Sequence, residues 1–178
     1  MKVVGFVGDS GSGKTTLVEG LIGHFVQAGL RVAAVKHAHH GFDIDRPGKD
    51  SYRFRRAGAA QVLVASDQRW VLMSDEAEVD PAAALARQLA RLDPCDLVLV
   101  EGYRGQAGID FIEVRRAGGD GAAAPQGAVR PPPAGRIALA CDVPPRVGEE
   151  GAGLPALDLN DIAAVARFIA ARLELPAC

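Results

Sequence analysis

The sequence predicts a three-layer α/β fold with a mostly parallel central sheet. Three observations carry that expectation. Apolar runs of strand length alternate with segments of helical periodicity along most of the chain. One of them, "DLVLVEG" at 96–102, is continuously apolar until its end, the pattern of a parallel strand covered on both faces. The first run, "VVGFV" at 3–7, passes directly into a glycine-rich turn and then an amphipathic segment, a strand–turn–helix unit.

Each element follows in order. Residues 2–7 make a buried strand. In the next segment Leu17, Val18, Leu21, Ile22, Phe25 and Val26 recur at helical spacing, and Gly29 ends the helix. Residues 31–36 form a second strand, 37–50 a polar and turn-rich loop, and 51–57 a short helix. "QVLVA" and "RWVLM" are two further strands joined by the turn "SDQ". Asp80 caps a helix that begins at Pro81 and continues through Leu85, Leu89 and Leu92. Strands follow at 96–102, 109–116 and 136–141. The last helix, with Asp158 or Asn160 as cap, turns Ile162, Val165, Ile169 and Leu173 inward. Residues 118–135 are rich in Gly, Ala and Pro and form a variable loop. Too little chain follows them for a second core, so one domain over 1–178 is expected.

Bulk properties narrow the function. The formal charge of −2 and a pI near 6.1 give no basis for broad adhesion to nucleic acid or an anionic membrane. The N-terminal apolar run is too short for a secretion signal, and no run reaches the ~18 apolar residues of a membrane span. Cys95, Cys141 and Cys178 are scattered and odd in number, which argues against a disulfide framework. A cytoplasmic location is the expectation.

The chemistry concentrates first in "GDSGSGKTT". Gly8-x-x-x-x-Gly13-Lys14-Thr15 is a complete Walker A motif with a strand before it and a helix after it, so the fold is expected to be P-loop NTPase-like. Here Gly8, Asp9, Ser10, Gly11, Ser12, Gly13, Lys14, Thr15 and Thr16 would curl around phosphate oxygens. Backbone N–H groups point into the curl and the helix N-terminus favours negative charge. Lys14 would reach the β- and γ-phosphates, and Thr15 would place its hydroxyl on Mg²⁺. The motif names neither the base nor the fate of the γ-phosphate.

Glu101 ends "DLVLVEG" at the carboxyl end of its strand, where parallel sheets deliver functional groups. It either serves Mg²⁺ with Thr15 or is a strand-end acid facing solvent. Tyr103 reads equally as lid or packing. From Lys36 to Arg56 the chain carries six Lys or Arg, three Asp and three His. One reading is an anion site or switch loop, with Lys36, Arg46, Lys49, Arg53 and Arg56 around phosphates, Asp43, Asp45 and Asp50 organising magnesium, water or the basic groups, and His37, His39 and His40 in the same loop. The other is a solvated loop with ion pairs. Histidines contacting phosphate or magnesium-bound water outrank a transition-metal set, because recognised zinc spacing is missing. Asp142, in "ALACDVP", either accepts from the N1–H and amine of guanine, favouring GTP over ATP, or shapes the turn before Pro144.

With these segments on the page, a resemblance can be stated. "GSGKTTL", "VKHAHHGFDIDRPGKDSYRFRRAGAAQVLVAS", "DLVLVEGYR", "IALACDVP" and "LDLNDI" resemble the MobB-type adaptor family of molybdopterin guanine dinucleotide biosynthesis. The resemblance implies a homodimeric GTP-binding protein with weak GTPase activity that uses Mg²⁺. It also implies a partnership with a MobA-type molybdenum cofactor guanylyltransferase and the molybdopterin-loaded machinery around it. Residues 36–51 match the family's signature loop, Glu101 and Gly102 its strand-end acidic motif. Asp142 falls in a family-like "SDVP" segment in which this chain has Cys141 for serine. Outside that family, the competing reading is a small P-loop kinase or phosphotransferase acting on a metabolite.

Overall fold

The computed structural model describes residues 1–38, 44–74, 81–104, 106, 108–117, 134–149, 151 and 153–176. Contacts divide the chain into two compact units, Met1–His37 with Leu85–Cys178, and Ala38–Ala84.

The larger unit holds a six-stranded sheet. Its strands are β1 (Lys2–Val7), β2 (Val32–Lys36), β5 (Leu97–Glu101), β6 (Asp110–Arg115), β7 (Arg136–Cys141) and β8 (Ala156–Asp158), in the order β2-β5-β1-β6-β7-β8. Every neighbouring pair is parallel. All carboxyl ends therefore lie along one edge. The chain runs from β1 outward to β2 on one flank and later crosses from β5 to β6 on the other. The order thus reverses at β1, and ligands of open α/β sheets bind at such a crevice.

Period-2 alternation divides the sheet residues between two apolar layers. Leu97 and Leu99 of β5, with Ile112 and Val114 of β6, join the cluster that α1 (Lys14–Gln27) and α4 (Ile162–Leu173) cover. Val98 and Val100 pack on the opposite side with Leu85 and Leu89 of α3 (Pro81–Leu89). α1 buries Leu17, Val18, Leu21 and Phe25, and α4 buries Val165, Ala166 and Ile169. Each such large apolar side chain, once buried, contributes about 1.5–3 kcal/mol. That stability holds β1 and the first turn of α1 as a rigid frame.

The smaller unit contains α2 (Asp50–Arg56) and an antiparallel pair, β3 (Gln61–Ala65) with β4 (Trp70–Ser74). Both strands fall on their apolar runs, and the short helix spans Asp50–Arg56, against the 51–57 expected.

Two local expectations need correction. Neither Asp158 nor Asn160 caps the last helix: Asp161 does, its carboxylate accepting from the Ala164 N–H at 2.9 Å. Asp158 instead accepts from the Asn160 N–H at 2.8 Å and shapes the turn before the helix. The second correction is β8, which pattern reading did not find, because three residues are too few to show a period. Helix α3 closes at Leu89, and Leu92 reaches the same apolar cluster from the turn beyond it. The cap expected at Asp80 and the loop at 118–133 lie outside the described residues. No described helix is long and apolar enough to cross a membrane.

Candidate functional site: the phosphate loop and its two flanks

Between β1 and α1 the backbone curls because glycines take conformations other residues resist. Gly11 and Gly13 are left-handed, at φ 77° and 93°, and Gly13 is the N-cap of α1. Gly8 has a different reason. A Cβ there would run into the Val114 carbonyl and lie 2.8 Å from Ser12 Oγ, so the loop can lie this close to β6 only without a side chain. Lys14 opens the helix and folds back over the loop, donating to the Gly8 carbonyl at 3.0 Å and the Asp9 carbonyl at 2.6 Å. Burial pushes the Lys14 ammonium below the usual lysine range. Glu101 and Asp9 oppose that shift, while Lys36 and Arg104 add to it. A desolvated cation among other cations is suited to receive an anion.

Ser12 supplies an independent sign of a ligand cradle. Its side-chain oxygen is buried and has no hydrogen-bond partner, although its residue is only 7% exposed. It lines a cleft of about 270 Å³ with Gly8, Asp9, Ser10, Glu113, Val114, Arg115 and Arg116. Buried polar atoms are seldom left unpaired, so an orphan beside a glycine loop fits a site made for a polar ligand.

On the β5 flank, Glu101 pairs in register with Phe6 of β1 and Lys36 of β2, which brings both charged residues to the carboxyl edge. Thr15 donates its hydroxyl to the Glu101 carboxylate, with Oγ1 3.0 and 3.1 Å from the two oxygens. Lys36 Nζ lies 3.4 Å from Glu101 Oε1 and 3.5 Å from Thr15 Oγ1. Mg²⁺ prefers hard oxygens at ~2.1 Å in an octahedron, where adjacent ligands stand about 3.0 Å apart. The hydroxyl–carboxylate pair has that spacing. Chemically, then, the residues fit a divalent cation next to a polyphosphate. Past Glu101 the chain bends sharply. Gly102 takes φ 98°, and a Cβ there would lie 2.9 Å from His37 Cβ. Tyr103 follows at φ 56°, its ring 4.5 Å from that of His37 and its hydroxyl donating to Gln88.

The β6 flank holds a group that pattern reading missed. Glu113, 6% exposed, accepts from Arg104 at 3.1 Å, Arg115 at 3.0 Å and Arg136 at 2.6 Å. Burial raises its pKa, but the Arg136 hydrogen bond and the charges of Arg115 and Arg104 outweigh that and hold it below the usual glutamate range. A charged residue inside the otherwise apolar run "FIEV" was the available signal. Arg115 shares its face two residues on along β6, but Arg104 and Arg136 come from two other segments, which no local pattern links to it.

Comparison with known proteins decides the family. The family model for MobB, molybdopterin guanine dinucleotide synthesis protein B, matches residues 3–129. This chain belongs to the MobB family. It is similar to the molybdopterin-guanine dinucleotide biosynthesis adapter protein of Escherichia coli (strain K12), 39% identical over 172 residues, which are 94% of this chain and 90% of that one. The adapter protein of the same name from Haemophilus influenzae is 44% identical over 102 residues, 57% of each chain. Among solved structures, a molybdopterin-guanine biosynthesis protein B is 27% identical with a TM-score of 0.67, covering 96% of this chain and 99% of its own. A MobB homolog from Bacillus stearothermophilus is 25% identical with a TM-score of 0.65, covering 99% of this chain and all of its own. Membership gives the chain a MobB-type adaptor role in molybdenum cofactor synthesis.

The remaining MobB signature residues fall in different places. Lys36 and His37 belong to the larger unit and adjoin Glu101: the His37 N–H donates to the Glu101 carbonyl at 2.9 Å. His39, His40 and Asp43 lie outside the described residues, and with them the transition-metal alternative. Asp45, Lys49 and Asp50 belong to the smaller unit. Asp45 accepts from Ser51 Oγ at 2.8 Å and from Arg55 Nε at 3.3 Å, tying the loop to α2. Lys49 is the N-cap residue of α2, and Asp50 stands in its first turn. Among the described residues no three His, Cys, Asp or Glu group as a metal site. Asp142, just past β7, accepts from the Ala117 N–H at 2.8 Å, which ties the ends of β6 and β7 together.

Proposed function

We propose that this MobB-family chain is a GTP-binding adaptor. It assists a MobA-type guanylyltransferase, which attaches GMP to molybdopterin to form molybdopterin guanine dinucleotide. The observation that carries the nucleotide reading is the spatial meeting of Lys14, Thr15 and Glu101 at the open end of a glycine loop. Backbone amides of Gly8–Thr16 hold the polyphosphate, and Lys14 neutralises its charge. Thr15 and Glu101 would hold Mg²⁺, which would supply charge neutralisation to the polyphosphate. Asp142 selects guanine. Turnover is slow and resets the bound state, releasing GDP and inorganic phosphate and no phosphorylated acceptor; that product pattern separates the adaptor from a metabolite kinase. The chain works as a cytoplasmic homodimer, without nucleic acid or membrane.

Calorimetric titration with GTP and ATP, each with and without Mg²⁺, tests this reading. Saturable, magnesium-dependent uptake with GTP preferred is expected. Folded protein that takes up neither nucleotide with magnesium present overturns it. A second titration measures the guanylyltransferase against nucleotide-free and GTP-loaded chain; equal affinities would rule out nucleotide-controlled docking.

A further inference from the structure

Three arginines on one carboxylate, beside the phosphate loop, have no part in the scheme above. Arg104 Nη2 sits on Glu113 Oε1, whereas Arg115 and Arg136 both sit on Oε2. The shared carboxylate stands at the cleft, which Glu113 and Arg115 line with Gly8, Asp9, Ser10 and Ser12.

Arg104 reaches this place from the other flank. It is the third residue after Glu101, delivered by a turn in which Gly102 and Tyr103 are both left-handed. A tyrosine adopts that backbone only against the crowding of its Cβ with the following carbonyl. Two contacts hold it there, the tilted His37 ring beside its own ring and Gln88 at its hydroxyl. Strain sustained in this way marks a residue whose neighbour must be placed, and that neighbour is Arg104.

We propose, resting on the triphosphate reading of the loop, that Arg104 is a specificity-determining residue that reads the terminal phosphate. Glu113 holds its guanidinium when the loop carries a diphosphate. A nucleoside triphosphate takes the guanidinium over through its γ-phosphate oxygens. Glu113 keeps Arg115 and Arg136 after the exchange, so no buried carboxylate is left without a counter-charge. The guanidinium fork suits either acceptor, because carboxylate and phosphate offer similarly spaced oxygens. The charge of Arg104 also acts on Lys14, and an anion between the two cations relieves that repulsion.

The test titrates full-length wild type, Arg104→Ala, Arg104→Lys and Lys14→Ala with GDP and with the β,γ-imido analogue of GTP, all with Mg²⁺. Wild type binds the triphosphate analogue more tightly. Arg104→Ala loses about tenfold or more for the analogue and leaves GDP unchanged; Arg104→Lys falls between; Lys14→Ala loses both ligands. The readout is the ratio of two affinities on one preparation, so partial misfolding cancels. Equal loss for both ligands, or loss for neither, makes Arg104 a structural partner of Glu113 and overturns the proposal alone. Wild type that takes up neither ligand overturns the nucleotide reading and this inference with it.

Discussion

Glu101 and Glu113 stand on the two strands that flank β1, opposite Phe6 and Val7, yet they face opposite sides of the sheet. Glu101 follows the parity of Leu97 and Leu99 and points to the α1 face, where Thr15 and Lys36 meet it. Glu113 alternates with Ile112 and Val114 and points the other way, into three arginines. Lys36, the cation on Glu101, is largely exposed; Arg136, on Glu113, is nearly buried. The same side chain, one residue apart in register, thus serves two ends. A carboxylate with a hydroxyl and a solvated lysine can exchange partners for a metal ion. A carboxylate enclosed by guanidiniums organises positive charge around a cleft.

Removing each carboxylate is the strongest way to break that comparison. Glu113→Ala removes the buried carboxylate that three guanidiniums share and should cost about 3–5 kcal/mol in urea unfolding. Glu101→Ala, losing a partly solvated pair, should cost under ~1 kcal/mol. Equal costs would show that the two flanks are alike. The acid limb sharpens the contrast. Folding lowers the Glu113 pKa, so its share of stability is complete above the unfolded value of about 4.3. That share is lost as pH falls through the lower folded value. Glu113→Gln should therefore flatten the drop in unfolding midpoint below pH ~4.3, measured from pH 7 to 3.

Ligand measurements give the next effects in size. Lys14→Ala removes the loop's charge-assisted donor and should weaken GTP binding on the order of a hundredfold, with circular dichroism unchanged. Glu101→Gln should lose about tenfold in GTP affinity with magnesium and nothing in EDTA; a loss in both conditions would assign Glu101 to the loop's own architecture. Ser12→Ala should have the smallest effect on the free protein. Its hydroxyl has no partner, so thermal stability should hold or rise by up to about 1 kcal/mol. A clear destabilisation would mean that the hydroxyl is already satisfied.

The difference between the flanks also explains what could be read in advance. Glu101 ends a long apolar run, and position in a parallel strand announces its edge. Lys14 and Thr15 sit in a motif whose spacing is set by the backbone curl itself. Glu113 is marked only as a charge inside an apolar run, because its meaning depends on Arg104 and Arg136 arriving from β5's exit and β7 to join Arg115 of its own strand. The cap of α4 failed for a related reason: Asp158, Asn160 and Asp161 are all competent caps, and only the local backbone chooses among them.

The sequence by itself determined the strand–loop–helix unit, the apolar layers and the placing of Lys14, Thr15 and Glu101 at one carboxyl edge of the sheet, because these follow from periodicities of one turn or one strand. Tertiary structure decided the strand order around β1, the opposite facing of the two glutamates and the gathering of arginines on Glu113. Those depend on which distant segments become neighbours, and contact between side chains far apart in the chain leaves no trace in local spacing.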